Sequence, residues 1–83
     1  RISALLQAAA DRIRAKVEGR GARLTLRVQA GLRPVTGDER RLAQAVDHLL
    51  DNAARAVAEG GEVTLSAEGA PEEVRIRVSD TGR

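Results

Sequence analysis

Eighty-three residues, with 14 Lys plus Arg against 12 Asp plus Glu for a net charge of +2, leave room for one domain or a piece of one, and exclude a second. The 42% hydrophobic fraction includes 15 alanines, so nine Leu, eight Val and three Ile remain to build a core without a single aromatic side chain, and a stock this thin implies that the chain leans on a partner. The lack of cysteine excludes disulfides, thiolate metal sites and a thiol nucleophile; no apolar run approaches the roughly 18 residues of a membrane span, and no signal-peptide core is present, so a soluble chain at home in a reducing cytoplasm is expected.

Ile2, Leu5, Leu6, Ala9, Ile13 and Val17 recur at offsets of three and four and predict an amphipathic helix that Gly19-Arg20-Gly21 ends. Arg23 to Gln29 then alternates, with Leu24, Leu26 and Val28 on one side, which predicts a half-buried strand. Ala30 to Gly37, with Gly31, Pro34 and Gly37, reads as a connection with a brief extended piece at Val35.

Asp38 is placed to cap a second helix, Glu39 suits its first turn, and Leu42, Val46, Leu49, Leu50, Ala53 and Val57 form its apolar stripe up to Gly60-Gly61. Two more alternating segments follow, Val63-Leu65-Ala67 and Val74-Ile76-Val78, joined by a turn at Glu68 to Glu73 as antiparallel neighbours. Helix, strand, helix, strand, strand, each with one polar face, predicts an α+β fold of two layers: helices on one face of a mixed sheet whose other face meets water.

His48, Asn52, Arg55 and Glu59 are spaced to share a ridge of the second helix away from its apolar stripe. An imidazole, an amide and a guanidinium in one row offer acceptors to a cation and donors to phosphate, although a polar ridge by itself is the ordinary solvated side of a helix. The last strand runs into Ser79-Asp80-Thr81-Gly82, where a strand-end carboxylate suits an exocyclic amine and glycine lets backbone approach a ligand. Taken alone, that segment is an ordinary strand-end turn.

Together, Asp38-Glu39-Arg40-Arg41-Leu42, the run Asp47-His48-Leu49-Leu50-Asp51-Asn52-Ala53-Ala54-Arg55-Ala56 and Asp80-Thr81-Gly82 resemble the ATP-binding domain of sensor histidine kinases, in the GHKL superfamily. The resemblance spans residues 1–83 and implies a Bergerat-type two-layer α/β sandwich. It implies a two-component signalling protein that binds Mg-ATP and transfers the γ-phosphate to a histidine on separate dimerisation and phosphoacceptor helices, for passage to a response regulator. The helix run matches the N box, in which Asn52 corresponds to the Mg2+-ligating asparagine and Arg55 to a phosphate-contacting basic position. Asp80 corresponds to the adenine-binding aspartate of the G1 box and Gly82 to that box's first glycine. His48 departs from the pattern, standing where many members have an earlier asparagine, and is read as a nucleotide contact or as an exposed helix residue with equal weight. No residue is assigned as a catalytic base; Asp47 and Asp51 are expected to be solvated or paired with arginines.

The sequence ends where that box would supply its second glycine, and the lid and second glycine-rich box have no counterpart in it. The expectation is therefore a partial domain, inactive alone, from a cytoplasmic or membrane-anchored kinase. The alternative is a non-catalytic module that keeps the fold and self-associates through an uncovered sheet edge and helix face. Nucleic acid is not an expected partner: 13 Arg and one Lys are interleaved with acids, Arg23, Arg27, Arg75 and Arg77 on the open sheet face stand among Glu62 and Glu68, and no aromatic is available to stack a base.

Overall fold

The computed structural model describes residues 2–32, 38–70 and 73–81. They form α1 (Ile2–Gly19), β1 (Arg23–Val28), α2 (Glu39–Ala56), β2 (Glu62–Ala70) and β3 (Glu73–Asp80), the expected order. Pro34, Val35, Gly37 and Pro71 lie outside the described residues.

The ends of both helices follow from local chemistry. α1 closes with Gly21 at φ +77°, its N–H donating to Glu18 O at 2.9 Å while Ala22 N–H reaches back to Val17 O at 3.2 Å, the paired bonds of a glycine-terminated helix. Asp38 caps α2: its Oδ1 accepts from Arg40 N–H at 2.9 Å, which satisfies a donor the helix itself cannot. Val57 ends α2 in extended backbone, its N–H still bonded to Ala53 O at 2.9 Å.

The sheet is mixed, in the order β1-β2-β3. β1 and β2 run parallel, which requires a crossover that α2 supplies, and β2 and β3 are antiparallel neighbours. Ladder partners share a face, so the pairs Leu24 with Val63, Leu26 with Leu65 and Val28 with Ala67 set one apolar side, which Val78 and Ile76 extend opposite Leu65 and Ala67. The helices lie on that side, with α1 against β1 and α2 against β2 and β3.

The core is entirely aliphatic. Leu6 and Val17 of α1, Val46 and Leu50 of α2, Val57, and Val63 and Leu65 of β2 are its largest fully enclosed side chains, and among the described residues no polar side chain is buried. Alanines 9, 10, 53 and 54 are buried too, which lets α1 and α2 approach closely and compensates for the few large side chains. No helix among the described residues is long and apolar enough to cross a membrane.

Two expectations need correction. Glu68, Gly69 and Ala70 belong to β2 and Glu73 to β3, paired as Glu68 with Arg75, Gly69 with Val74 and Ala70 with Glu73. The hairpin ladder therefore runs closer to its turn than composition indicated, because backbone pairing tolerates a strand glycine that side-chain patterning reads as a loop. β3 is half-buried, as its alternation predicts, and forms one edge of the described sheet. Leu49, expected in the apolar stripe of α2, is 45% exposed, while Ala54 takes a buried place in the helix.

Candidate functional site

The loop between α2 and β2 is short and tightly held. Gly60 N–H donates to Gly21 O at 2.8 Å, Arg23 N–H to Gly61 O at 3.0 Å and Gly61 N–H to Ala58 O at 2.8 Å. Just beyond it, Glu62 N–H donates to the Thr81 hydroxyl at 2.7 Å, and Thr81 N–H returns a bond to Glu62 O at 3.0 Å. The end of α2, the start of β2 and the end of β3 thus form one corner of the molecule.

Asp80 stands at that corner. It is the last residue of β3, exposed, and its ladder partner is the fully buried Val63. Alternation along a strand then puts Asp80 in the helix-facing row after Val74, Ile76 and Val78. It is a carboxylate at the rim of an apolar shelf.

Asn52 and Arg55 stand in the last two turns of α2, both exposed and in contact: Arg55 Nη2 donates to Asn52 Oδ1 at 2.9 Å. The same nitrogen lies 3.2 Å from Asp51 Oδ2, and Asp51 Oδ1 accepts from Lys16 Nζ of α1 at 2.8 Å. The Lys16 hydrogen bond holds the Asp51 carboxyl below its ordinary value, partly opposed by desolvation and helped by the positive charges of Arg55, Lys16 and His48. Leu49, three residues before Asn52 on a neighbouring flank of the helix, leaves an apolar surface beside the carboxamide.

His48 is one turn before Asn52 and also exposed, but it lines a groove of about 430 Å³ between α1 and α2 together with Arg12, Gln44, Asp47 and Asp51. That groove includes neither Asn52 nor Asp80. Asp47 pairs there with Arg12, whose Nη2 bridges both carboxylate oxygens at 2.9 and 3.1 Å. Glu59 departs from the expected ridge altogether: it lies past the end of α2, its side chain packed over Gly21. Gly82 is outside the described residues.

The Lys16–Asp51 bridge was not foreseen. Its signal is nonetheless in the sequence: Arg12 and Lys16 are four apart on one helix and Asp47 and Asp51 four apart on the other, a matched ladder along the seam of two packed helices.

The donor set suits a magnesium ion that arrives with its own phosphate ligands. Among the described residues no group of three or more His, Cys, Asp or Glu side chains is gathered to cage a metal, whereas Asn52 offers a single hard amide oxygen at the surface. Magnesium bound to nucleotide phosphates keeps most of its waters and asks little more of a protein.

Residues 37–83 match the family model of the histidine kinase-, DNA gyrase B- and HSP90-like ATPases. Over 83 residues the chain is 45% identical to the sensor protein DivL of Caulobacter vibrioides, and over 79 residues it is 35% identical to the adaptive-response sensory kinase SasA of Thermosynechococcus vestitus. It spans 11% and 21% of the lengths of those two proteins, although 100% and 94% of the chain itself is matched. The catalytic domain of histidine kinase ThkA, in a nucleotide-free form, superposes with a TM-score of 0.90 at 21% identity, covering 99% of this chain and 56% of that one. Acinetobacter baumannii histidine kinase AdeS gives 0.82 at 22% identity, covering 98% and 40%. At such identities the two structures speak for the fold, and they agree with the two-layer arrangement derived above. With a family match covering more than half of its length, the chain belongs to the histidine kinase-, DNA gyrase B- and HSP90-like ATPases.

Proposed function

We propose that this chain contributes the N-box helix and the start of the adenine pocket to the Mg-ATP-binding domain of a two-component sensor histidine kinase. The observation that carries the reading is the shared corner: Asp80 is on the helix-facing row of β3 at the end of the sheet where α2 delivers Asn52 and Arg55. Asp80 accepts a hydrogen bond from the adenine amine, the apolar shelf before it takes the base, and Arg55 meets phosphate oxygens. Asn52 Oδ1 is the protein ligand to Mg2+, which when bound neutralises phosphate charge. His48 stands at the margin of this site and is assigned no essential contact.

The whole protein, in this reading, is a cytoplasmic or membrane-anchored kinase that presents the γ-phosphate of ATP to a histidine on its dimerisation helices, and a response regulator receives it. Phosphoryl transfer of this kind depends on positioning and charge neutralisation, which is the chemistry that an amide, a guanidinium and a carboxylate on rigid elements supply. The test is autophosphorylation of the full-length protein. Asn52→Ala is expected to abolish it and to remove the Mg2+ dependence of ADP binding; normal activity in that variant refutes the metal-ligand role.

A second reading, self-association through an uncovered helix face and sheet edge, draws on Leu49, 45% exposed on α2, and on β3 at one edge of the described sheet. Light scattering on the full-length protein decides it. A mass that rises with concentration and falls back in Leu49→Asp supports pairing, and a constant monomer mass counts against it.

A further inference from the structure

One nitrogen of Arg55 serves two acceptors, Asn52 Oδ1 at 2.9 Å and Asp51 Oδ2 at 3.2 Å. The remaining Asp51 oxygen is held by Lys16 Nζ at 2.8 Å from the other helix. Lys16, Asp51, Arg55 and Asn52 are therefore an unbroken chain of polar contacts from α1 to the carboxamide that the proposed site offers to a cation.

Two of these contacts compete with nucleotide. A cation approaching Asn52 Oδ1 meets a guanidinium already donating to that oxygen, and like charges at contact distance repel. A phosphate approaching Arg55 meets a guanidinium already engaged by a carboxylate. Both obstacles vanish in one movement, when Arg55 exchanges Asp51 for phosphate and leaves Asn52 Oδ1 exposed.

We infer that Asp51 is a positioning residue: it holds Arg55 across Asn52, and phosphate must draw Arg55 away before the carboxamide can take a cation. Lys16 weakens that hold by sharing the Asp51 charge, so the position of α1 sets how readily Arg55 is released. This rests on the reading of Asn52 and Arg55 as the phosphate end of the site, and it adds the group that regulates them.

The test is calorimetric titration of the full-length protein with ADP, once in EDTA and once in excess Mg2+. Asp51→Asn is expected to tighten metal-free ADP binding by roughly two- to five-fold, the range of an exposed ion pair. Mg-ADP binding is expected to tighten by the same factor, because Arg55 must leave Asp51 in either buffer. Lys16→Met, which leaves Asp51 uncompensated, is expected to weaken metal-free binding. In an Arg55→Gln background, Asp51→Asn changes nothing, because the competition runs through Arg55.

An equal gain from Asp51→Asn in the Arg55→Gln background overturns the inference, since it means that removing any nearby negative charge suffices. Unchanged ADP affinity in Asp51→Asn overturns it as well. Should Asp51→Asn fold poorly, tighter or unchanged metal-free binding in Lys16→Met is enough to reject the inference. If the unsubstituted protein binds ADP in neither buffer, the site reading itself falls and takes this inference with it, an outcome distinct from intact binding without coupling.

Discussion

Asp80 stands directly across the β2–β3 ladder from Val63, one of the most deeply buried side chains of the protein. A carboxylate paired with a core valine is an unusual neighbour in a sheet, tolerated because Asp80 ends its strand and remains exposed. We predict that Asp80→Asn leaves the melting temperature of the full-length protein unchanged. Its ADP affinity is expected to fall by about 1.5–3 kcal/mol, the worth of a hydrogen bond to a charged group. Calorimetric ADP titration checks this, and undiminished affinity would remove Asp80 from the site.

Gly61 owes its place to its neighbours. A Cβ there would lie 2.6 Å from Thr81 Oγ1 and 2.9 Å from Ala58 O, too close for either to remain where it is. Gly60 has open space instead but adopts φ +81°, so a side chain meets backbone strain there. Gly61→Ala is expected to cost about 1–3 kcal/mol through overpacking and to displace the Asp80–Thr81 backbone. Gly60→Ala is expected to cost about 1–2 kcal/mol without moving Thr81. Amide shifts of Thr81 in the two variants separate these effects.

That pair of glycines marks the boundary of what the sequence disclosed. Periodicity placed both helices and all three strands, because the apolar rows at Leu24-Leu26-Val28, Val63-Leu65-Ala67 and Val74-Ile76-Val78 each record a single buried face. The cap at Asp38 was legible for a similar reason, being a local hydrogen bond between residues two apart. Gly60-Gly61 read only as a stop signal, since its contact with Thr81 depends on how β3 returns beside β2. Glu59 was misplaced because α2 ends at Ala56, where Val57 turns into the core. Ridge spacing found Asn52 beside Arg55, but the carboxylate joining them to α1 required knowing which helices pack.

The depressed titration of Asp51 has a direction that can be checked. Its carboxyl titrates below the ordinary value of 3.8, first because Lys16 donates a hydrogen bond to the charged form. A lowered pKa means that the contact adds stability above the unfolded-state value, and that this contribution disappears as pH falls through the folded-state value. Lys16→Met is therefore expected to return the Asp51 midpoint towards 3.8, followed by NMR of the side-chain carboxyl. The stability difference between the two proteins should be constant near neutrality and close only in the acid range below that value. A difference that persists unchanged under full protonation would assign the effect of Lys16 to packing of its aliphatic stem instead.

Leu49 and Leu50 are adjacent, chemically identical and oppositely placed: Leu50 is fully buried, whereas Leu49 is 45% exposed. Leu50→Ala removes a fully buried core side chain and is expected to cost about 2–5 kcal/mol. Leu49→Ala should stay within about 0.5 kcal/mol, the usual range for a surface change that touches no special feature. Denaturant unfolding of the full-length protein measures both. The comparison also probes the flank of α2 beside Asn52. A Leu49→Ala cost approaching that of Leu50→Ala would mean that another part of the protein covers this flank. A small cost with weakened ADP binding would instead place Leu49 against the nucleotide.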